Sequence, residues 1–163
     1  MLIADHEGVD IQEQYFDFEK DFLEDNIRCI PMMVRFKLDA AAIKLKLAEW
    51  SRFTVAERNL LATLPCHSEE EVMAYRGYLY RLILVRTGNR PTDLVQQENP
   101  AWADVDTIDP GLLERACSYN WTIGIARWKS LNNLQRFALL KLYRPGHESK
   151  NFPKAMKEFG LAG

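Results

Sequence analysis

The residues best suited to chemistry in this chain are a cysteine, a set of arginines and one polar loop. Cys29 follows Arg28 and stands two residues before Pro31, where a helix is predicted to begin. A cation and a helix N-terminus both favour the thiolate, which makes Cys29 a reactive-thiol candidate. Its neighbours Ile27 and Ile30 fit a buried, inert cysteine equally well, and that reading is preferred. A nucleophilic Cys29 requires exposure and His147 within hydrogen-bond reach. The run Arg144-Pro145-Gly146-His147-Glu148-Ser149-Lys150-Asn151 precedes a short predicted helix whose first N–H groups, with Lys154 nearby, suit an anion. Arg28, Arg35, Arg136, Arg144, His147 and Asn151 are therefore the anion-binding candidates, because guanidinium matches flat anions through paired N–H groups. The plainer alternative for the loop is a solvated turn. It carries no glycine-rich phosphate fingerprint, no HExxH and no defensible Ser-His-Asp order, so no catalytic residue is assigned. Cys66-His67 supplies two adjacent metal ligands and lacks two more, so neither a metal nor a cofactor is expected.

These groups must be positioned by one domain's worth of chain. At 163 residues, 47% hydrophobic and 27% charged, the sequence is in the ordinary globular range, and an acidic, aromatic arm over residues 1–25 with one helical domain over 26–163 is expected. Three widely spaced cysteines without a CxxC pair favour a reducing compartment, and the acidic start lacks the pattern of an export signal, so a cytoplasmic location is expected. The longest apolar run, Leu82 to Val85, is bounded by Arg81 and Arg86, too short to span a membrane. Net charge of −2 conceals an asymmetry: residues 1–25 hold nine acids and one base, residues 110–163 nine bases and three acids. The arm folding onto a basic C-terminal face is preferred over a basic face kept for an anionic partner.

Helical signals dominate. Pro31 suits a first helical position ahead of Met32 to Ala42, and Ile43, Leu45 and Leu47 read as briefly extended or irregular helix. Thr54 with Glu57, and Ser68 with Glu71, spell capping boxes, the second opening the longest helix, with Val72, Tyr75, Leu79, Leu82 and Ile83 on one face and Gly88 as its stop. Residues 89–109, with Pro91 placed to begin a short helix and Trp102 as an anchor, form either a packed loop or a lid. Helices are predicted at Pro110 to Tyr119, Ile123 to Lys129, Asn133 to Tyr143 and Pro153 to Phe159, the third apolar nearly all round and so central.

Two stretches repeat. Trp50-x-x-Phe53-Thr54-x-x-Glu57-Arg58-x-x-Leu61-x-x-Leu64 matches Trp128-x-x-Leu131-Asn132-x-x-Gln135-Arg136-x-x-Leu139-x-x-Leu142, 78 residues on. Each copy reads helix, turn, helix, and a pseudo-twofold pair of such units in an all-α fold is the preferred architecture. Arg58 and Arg136 are expected to pair with acids or helix-end carbonyls rather than to share an anion. Helix-turn-helix units raise the question of DNA, but the second helices are apolar and no basic stripe accompanies them, so no nucleic acid is expected.

The strings Arg28-Cys29-Ile30-Pro31-Met32, Val34-Arg35-x-Lys37-Leu38-Asp39, Gln135-Arg136-Phe137-Ala138-Leu139-Leu140-Lys141-Leu142, His147-Glu148 and Glu158-Phe159-Gly160-Leu161 resemble the nitrate reductase-associated protein family, over nearly the whole length from Phe16. Lys46 departs from the resemblance, standing where relatives often carry Ser, which leaves the cap before Trp50 open. The resemblance implies association with molybdenum-dependent nitrate reductase and molybdopterin synthesis, without assigning a catalytic residue. It implies a non-enzymatic accessory or maturation partner in nitrate assimilation, binding nitrate reductase or molybdenum-cofactor maturation proteins. The alternative is a binder of an anionic small molecule, a pterin nucleotide or nitrate itself, through an Arg-lined pocket.

Overall fold

The capping boxes open the helices they were expected to open. In the computed structural model, which describes residues 16–20, 22, 27–146 and 148–162, Thr54 and Glu57 exchange bonds of 2.9 and 3.1 Å at the start of α3 (Val55–Thr63). Ser68 and Glu71 do the same, at 3.1 Å each, before α4 (Glu69–Thr87). Gly88 ends α4 at φ 75, a left-handed conformation in which a side chain would be strained. The protein is all-α with one minimal two-stranded pairing. The other helices are α1 (Met32–Ala41), α2 (Leu47–Trp50), α5 (Pro110–Cys117), α6 (Ile125–Ser130), α7 (Asn133–Leu142) and α8 (Phe152–Glu158). Short 3-10 turns occupy Asp17–Glu19, Ala101–Ala103 and Ser149–Asn151. No helix among the described residues is long and apolar enough to cross a membrane. Most of the acidic arm lies outside the described residues.

The chain forms two compact units, Glu19–Gln96, and Phe16–Phe18 with Gln97–Gly163. In the first, α1 and α4 pack together, and Met33, Val34, Leu38, Tyr75, Leu79 and Ile83 on them are all buried. After α1 the chain turns at Ala42 into the extended pair Ile43–Lys44, then enters α2, so both readings of this stretch apply to successive residues. Pro91 does not begin a helix. The residues after it, Thr92–Asp93, pair antiparallel with Ile43–Lys44, held there by the Arg76–Asp93 ion pair at 3.0 Å and by Leu94 N–H donating to the Ala42 carbonyl. The cap before Trp50 is half a box: Lys46 N–H donates to Glu49 Oε1 at 2.9 Å, while a lysine side chain offers no acceptor in return.

In the second unit α7 is the central element, burying Leu134, Phe137, Ala138, Leu139, Leu140 and Leu142. It packs on the Ala101–Ala103 turn and on α8. Phe16 is buried against Phe159, ring centres 4.9 Å apart, and the Asp17 amide donates to the Glu158 carboxylate at 2.9 and 3.0 Å. That link joins a backbone donor to an acid, not the arm's acids to C-terminal bases. Asp109 caps α5 through Gly111 N–H at 3.0 Å and accepts from Tyr143 Oη at 2.9 Å. The Tyr143 ring lies so close to Gly111 that an added Cβ would sit 2.9 Å from it and the ring would have to shift.

Residues 78 apart carry matching local geometry over a longer span than the two tryptophan segments. Helices α1 and α5 begin at Met32 and Pro110, α2 and α6 at Leu47 and Ile125. Among the described residues the two non-glycine positions with positive φ are Ala42 (60) and Asn120 (64). Trp50 and Trp128 are fully buried, each with a guanidinium 6.0 Å from its ring, Arg58 over one and Arg136 over the other. Asn132 and Gln135 form the reciprocal box at 2.9 and 2.7 Å. Arg58 Nη1 donates to the Phe53 carbonyl, and Arg136 Nη1 to that of Leu131.

Candidate functional site

The candidate cations fall in both units. Arg28 and Arg35 belong to the first, Arg28 exposed and Arg35 half-buried on α1; Arg136, Arg144 and Asn151 belong to the second. His147 lies outside the described residues. Arg136 stands in the first turn of α7 and Arg144 just past its end, about 12 Å further along the axis. The helix that carries them keeps them apart.

The guanidinium of Arg136 is occupied by its own fold. Nε donates to the Trp102 carbonyl at 2.7 Å, Nη1 to the carbonyls of Trp128 (3.2 Å) and Leu131, and Nη2 to Asn133 Oδ1. Residue burial is nearly complete, and loss of hydration pushes its pKa down. Trp128 and Leu131 end α6, so the arginine adds donors at the carbonyls of a helix C-terminus, that of Trp128 also accepting the Leu131 amide at 3.2 Å. Arg144 lies over the ring of the adjacent Tyr143, 5.2 Å from its centre. The loop after it closes on itself, Ser149 Oγ donating to the Gly146 carbonyl at 2.9 Å, and Asn151 is buried at the head of α8. Cys29 is 1% exposed, between buried Ile30 and half-buried Ile27, which is the inert environment and denies the access a nucleophile needs.

Two buried charged residues had no signal in the sequence. Glu19, fully buried, accepts the Met32 amide at 2.9 and 3.1 Å and so caps α1, where Pro31 has no side-chain oxygen to offer. Lys37, 9% exposed on α1, donates from Nζ to the carbonyls of Ala62 (2.6 Å) and Leu64 (2.7 Å), closing the C-terminus of α3. Its ammonium lies 5.9 Å from the Tyr75 ring, whose Oη donates to the Leu61 carbonyl at 2.7 Å. Half-buried Cys66 stands close by, its Sγ 3.9 Å from the Lys37 carbonyl oxygen. His67 beside it is exposed, and no group of three metal-binding side chains occurs among the described residues.

This cluster sets a pH response. Burial lowers the Lys37 pKa from 10.5 to about 8, so above about pH 8 the unfolded chain holds a proton that the folded chain releases, and stability rises with pH. Cys66 opposes it: burial raises its thiol from 9.0 to about 11, so between those values the folded chain keeps a proton the unfolded chain has lost, and stability falls. Tyr75, raised well above 10.0 by burial, adds to that fall at higher pH. Urea midpoints are therefore expected to climb from about pH 8 to 9 and to flatten beyond, with the climb missing in Lys37→Met. An unchanged slope in that variant would assign the response to other groups.

Carbonyls are the acceptors for other cations besides Arg136 and Lys37. Arg76 Nη1 donates to those of Ala41 (2.7 Å) and Ala42 (3.1 Å) at the end of α1, and Arg127 Nη2 to that of Gly160 (2.6 Å) past the end of α8. Chemically, the arrangement provides positive charge at helix C-termini. No curated protein and no solved structure matches the chain. The family described as conserved nitrate reductase-associated protein matches residues 15–159, and since that span takes in every described element from the Asp17–Glu19 turn to α8, the chain belongs to that family.

Proposed function

We propose that the protein acts as a non-enzymatic accessory or maturation partner in nitrate assimilation, working in the cytoplasm without a cofactor and binding nitrate reductase or the proteins that mature its molybdenum cofactor. The observation that carries this reading is the family match over residues 15–159, whose description names an association with nitrate reductase. Support comes from the use of Arg136 and Lys37, whose donors already have backbone acceptors within the fold. A partner surface needs no buried cation and leaves these bonds intact.

Affinity capture tests the reading. Full-length tagged protein, expressed in cells grown on nitrate and in cells grown on ammonium, is recovered and its companions identified by mass spectrometry. Nitrate-dependent enrichment of the reductase or of molybdenum-cofactor proteins is expected. Repeated recovery without either would overturn the proposal.

A further inference from the structure

We propose that the outer face of α4 is a self-association surface, on which a second copy of the chain packs its own α4 antiparallel. The inner face of this helix holds Tyr75, Leu79, Leu82 and Ile83, all buried. The opposite face carries Glu70, Met73, Ala74, Gly77, Arg81 and Leu84, with Val85 beside them, and all are exposed. Met73 is 73% exposed and Val85 69%, a large apolar area for one helix face. Gly77 is in mid-helix with ordinary helical geometry, and a Cβ there would meet nothing within 4 Å. Nothing among the described residues requires a glycine, although glycine is among the poorest helix formers. Close approach of another backbone does require one.

Charge and spacing select a second copy as the occupant. Arg76 is paired with Asp93 and Arg86 with Glu57, while Glu71 closes the N-terminal cap. The side chains of Glu70 and Arg81 form no hydrogen bond or ion pair with another described residue. They have opposite charge and lie three turns apart on the same face, about 16 Å along the axis. The midpoint between Glu70 and Arg81 is also the midpoint between Ala74 and Gly77. A twofold axis there places the small residues of both copies at the crossing, where the backbones meet. The same axis sets Glu70 of each copy beside Arg81 of the other, making two equivalent ion pairs at the ends of the contact. Met73 then flanks the crossing, and Leu84 reaches the turn preceding α4 of the second copy.

Sedimentation velocity of the full chain over a concentration series tests the arrangement, with circular dichroism to follow folding. A reversible monomer–dimer equilibrium is expected. Glu70→Arg and Arg81→Glu each weaken the dimer by about tenfold, and the double reversal restores it to near the wild-type constant, because both pairs re-form with exchanged signs. Gly77→Leu is expected to abolish association while raising the unfolding midpoint, since leucine is the better helix former. A purely structural role for Gly77 would not separate the two effects in that direction. A chain that stays monomeric at every concentration, a double reversal no tighter than the single ones, or an undiminished dimer in Gly77→Leu would each overturn the proposal.

Discussion

Replacing Arg136 with methionine is expected to destabilise the protein by about 3 kcal/mol, read as a fall in the urea unfolding midpoint at constant slope. The guanidinium serves the carbonyls of Trp102, Trp128 and Leu131 together with Asn133 Oδ1, and the residue is 5% exposed. Methionine fills much the same volume and removes the guanidinium's donors from all four, of which the Trp128 carbonyl keeps a second donor, the Leu131 amide at 3.2 Å. Each neutral acceptor stranded in this way costs about 1 kcal/mol. Arg136→Lys is expected to recover less than half of the loss, because one ammonium cannot match a planar fork aimed at four acceptors. A methionine variant within 1 kcal/mol of the wild type would show that water replaces the guanidinium and that these bonds do not hold α6 to α7.

Trp128→Ala is expected to cost about 4 kcal/mol, the larger of the two effects. The ring is fully buried beneath Arg136, and its Nε1 donates to the Asp104 carbonyl at 2.9 Å. Truncation therefore opens a cavity, removes a cation–π contact and strands a carbonyl. Phenylalanine separates these contributions. At Trp128 it keeps most of the volume and loses the bond, whereas at Trp50, whose buried Nε1 has no acceptor among the described residues, it removes no bond that they make. Trp128→Phe is accordingly expected to cost about 1 kcal/mol more than Trp50→Phe. Arg136 and Trp128 touch, so the double variant should lose less than the sum of the single losses.

The features legible in the sequence were those whose partners lie within one turn. Thr54 with Glu57, Ser68 with Glu71 and Asn132 with Gln135 are three residues apart, and that spacing is itself the bond. Tyr75, Leu79, Leu82 and Ile83 were legible because helical period alone puts them on one side. Glu19 and Lys37 were not. The carboxylate caps a helix 13 residues ahead, and the ammonium closes one 25 and 27 residues ahead, distances over which no local pattern exists. Pro91 was misread for the same reason: its neighbours Thr92 and Asp93 are fixed by pairing with Ile43 and Lys44, some fifty residues earlier. The arginine candidates share this difficulty. Sequence gives the charge of Arg136 and its position on a helix, but not that the carbonyls of α6 would lie within its reach.

The unequal bonding of the two buried tryptophans gives each unit its own reporter. Trp50 belongs to the first unit, its buried indole N–H without an acceptor among the described residues, and Trp128 to the second with its N–H bound to a carbonyl. The two indole protons should therefore give separate resonances in the unmodified protein, the bound one further downfield. Hydrogen exchange at each then measures the opening of one half of the molecule without reference to the other. The question of whether the halves unfold together can be put to two nuclei that the chain already contains.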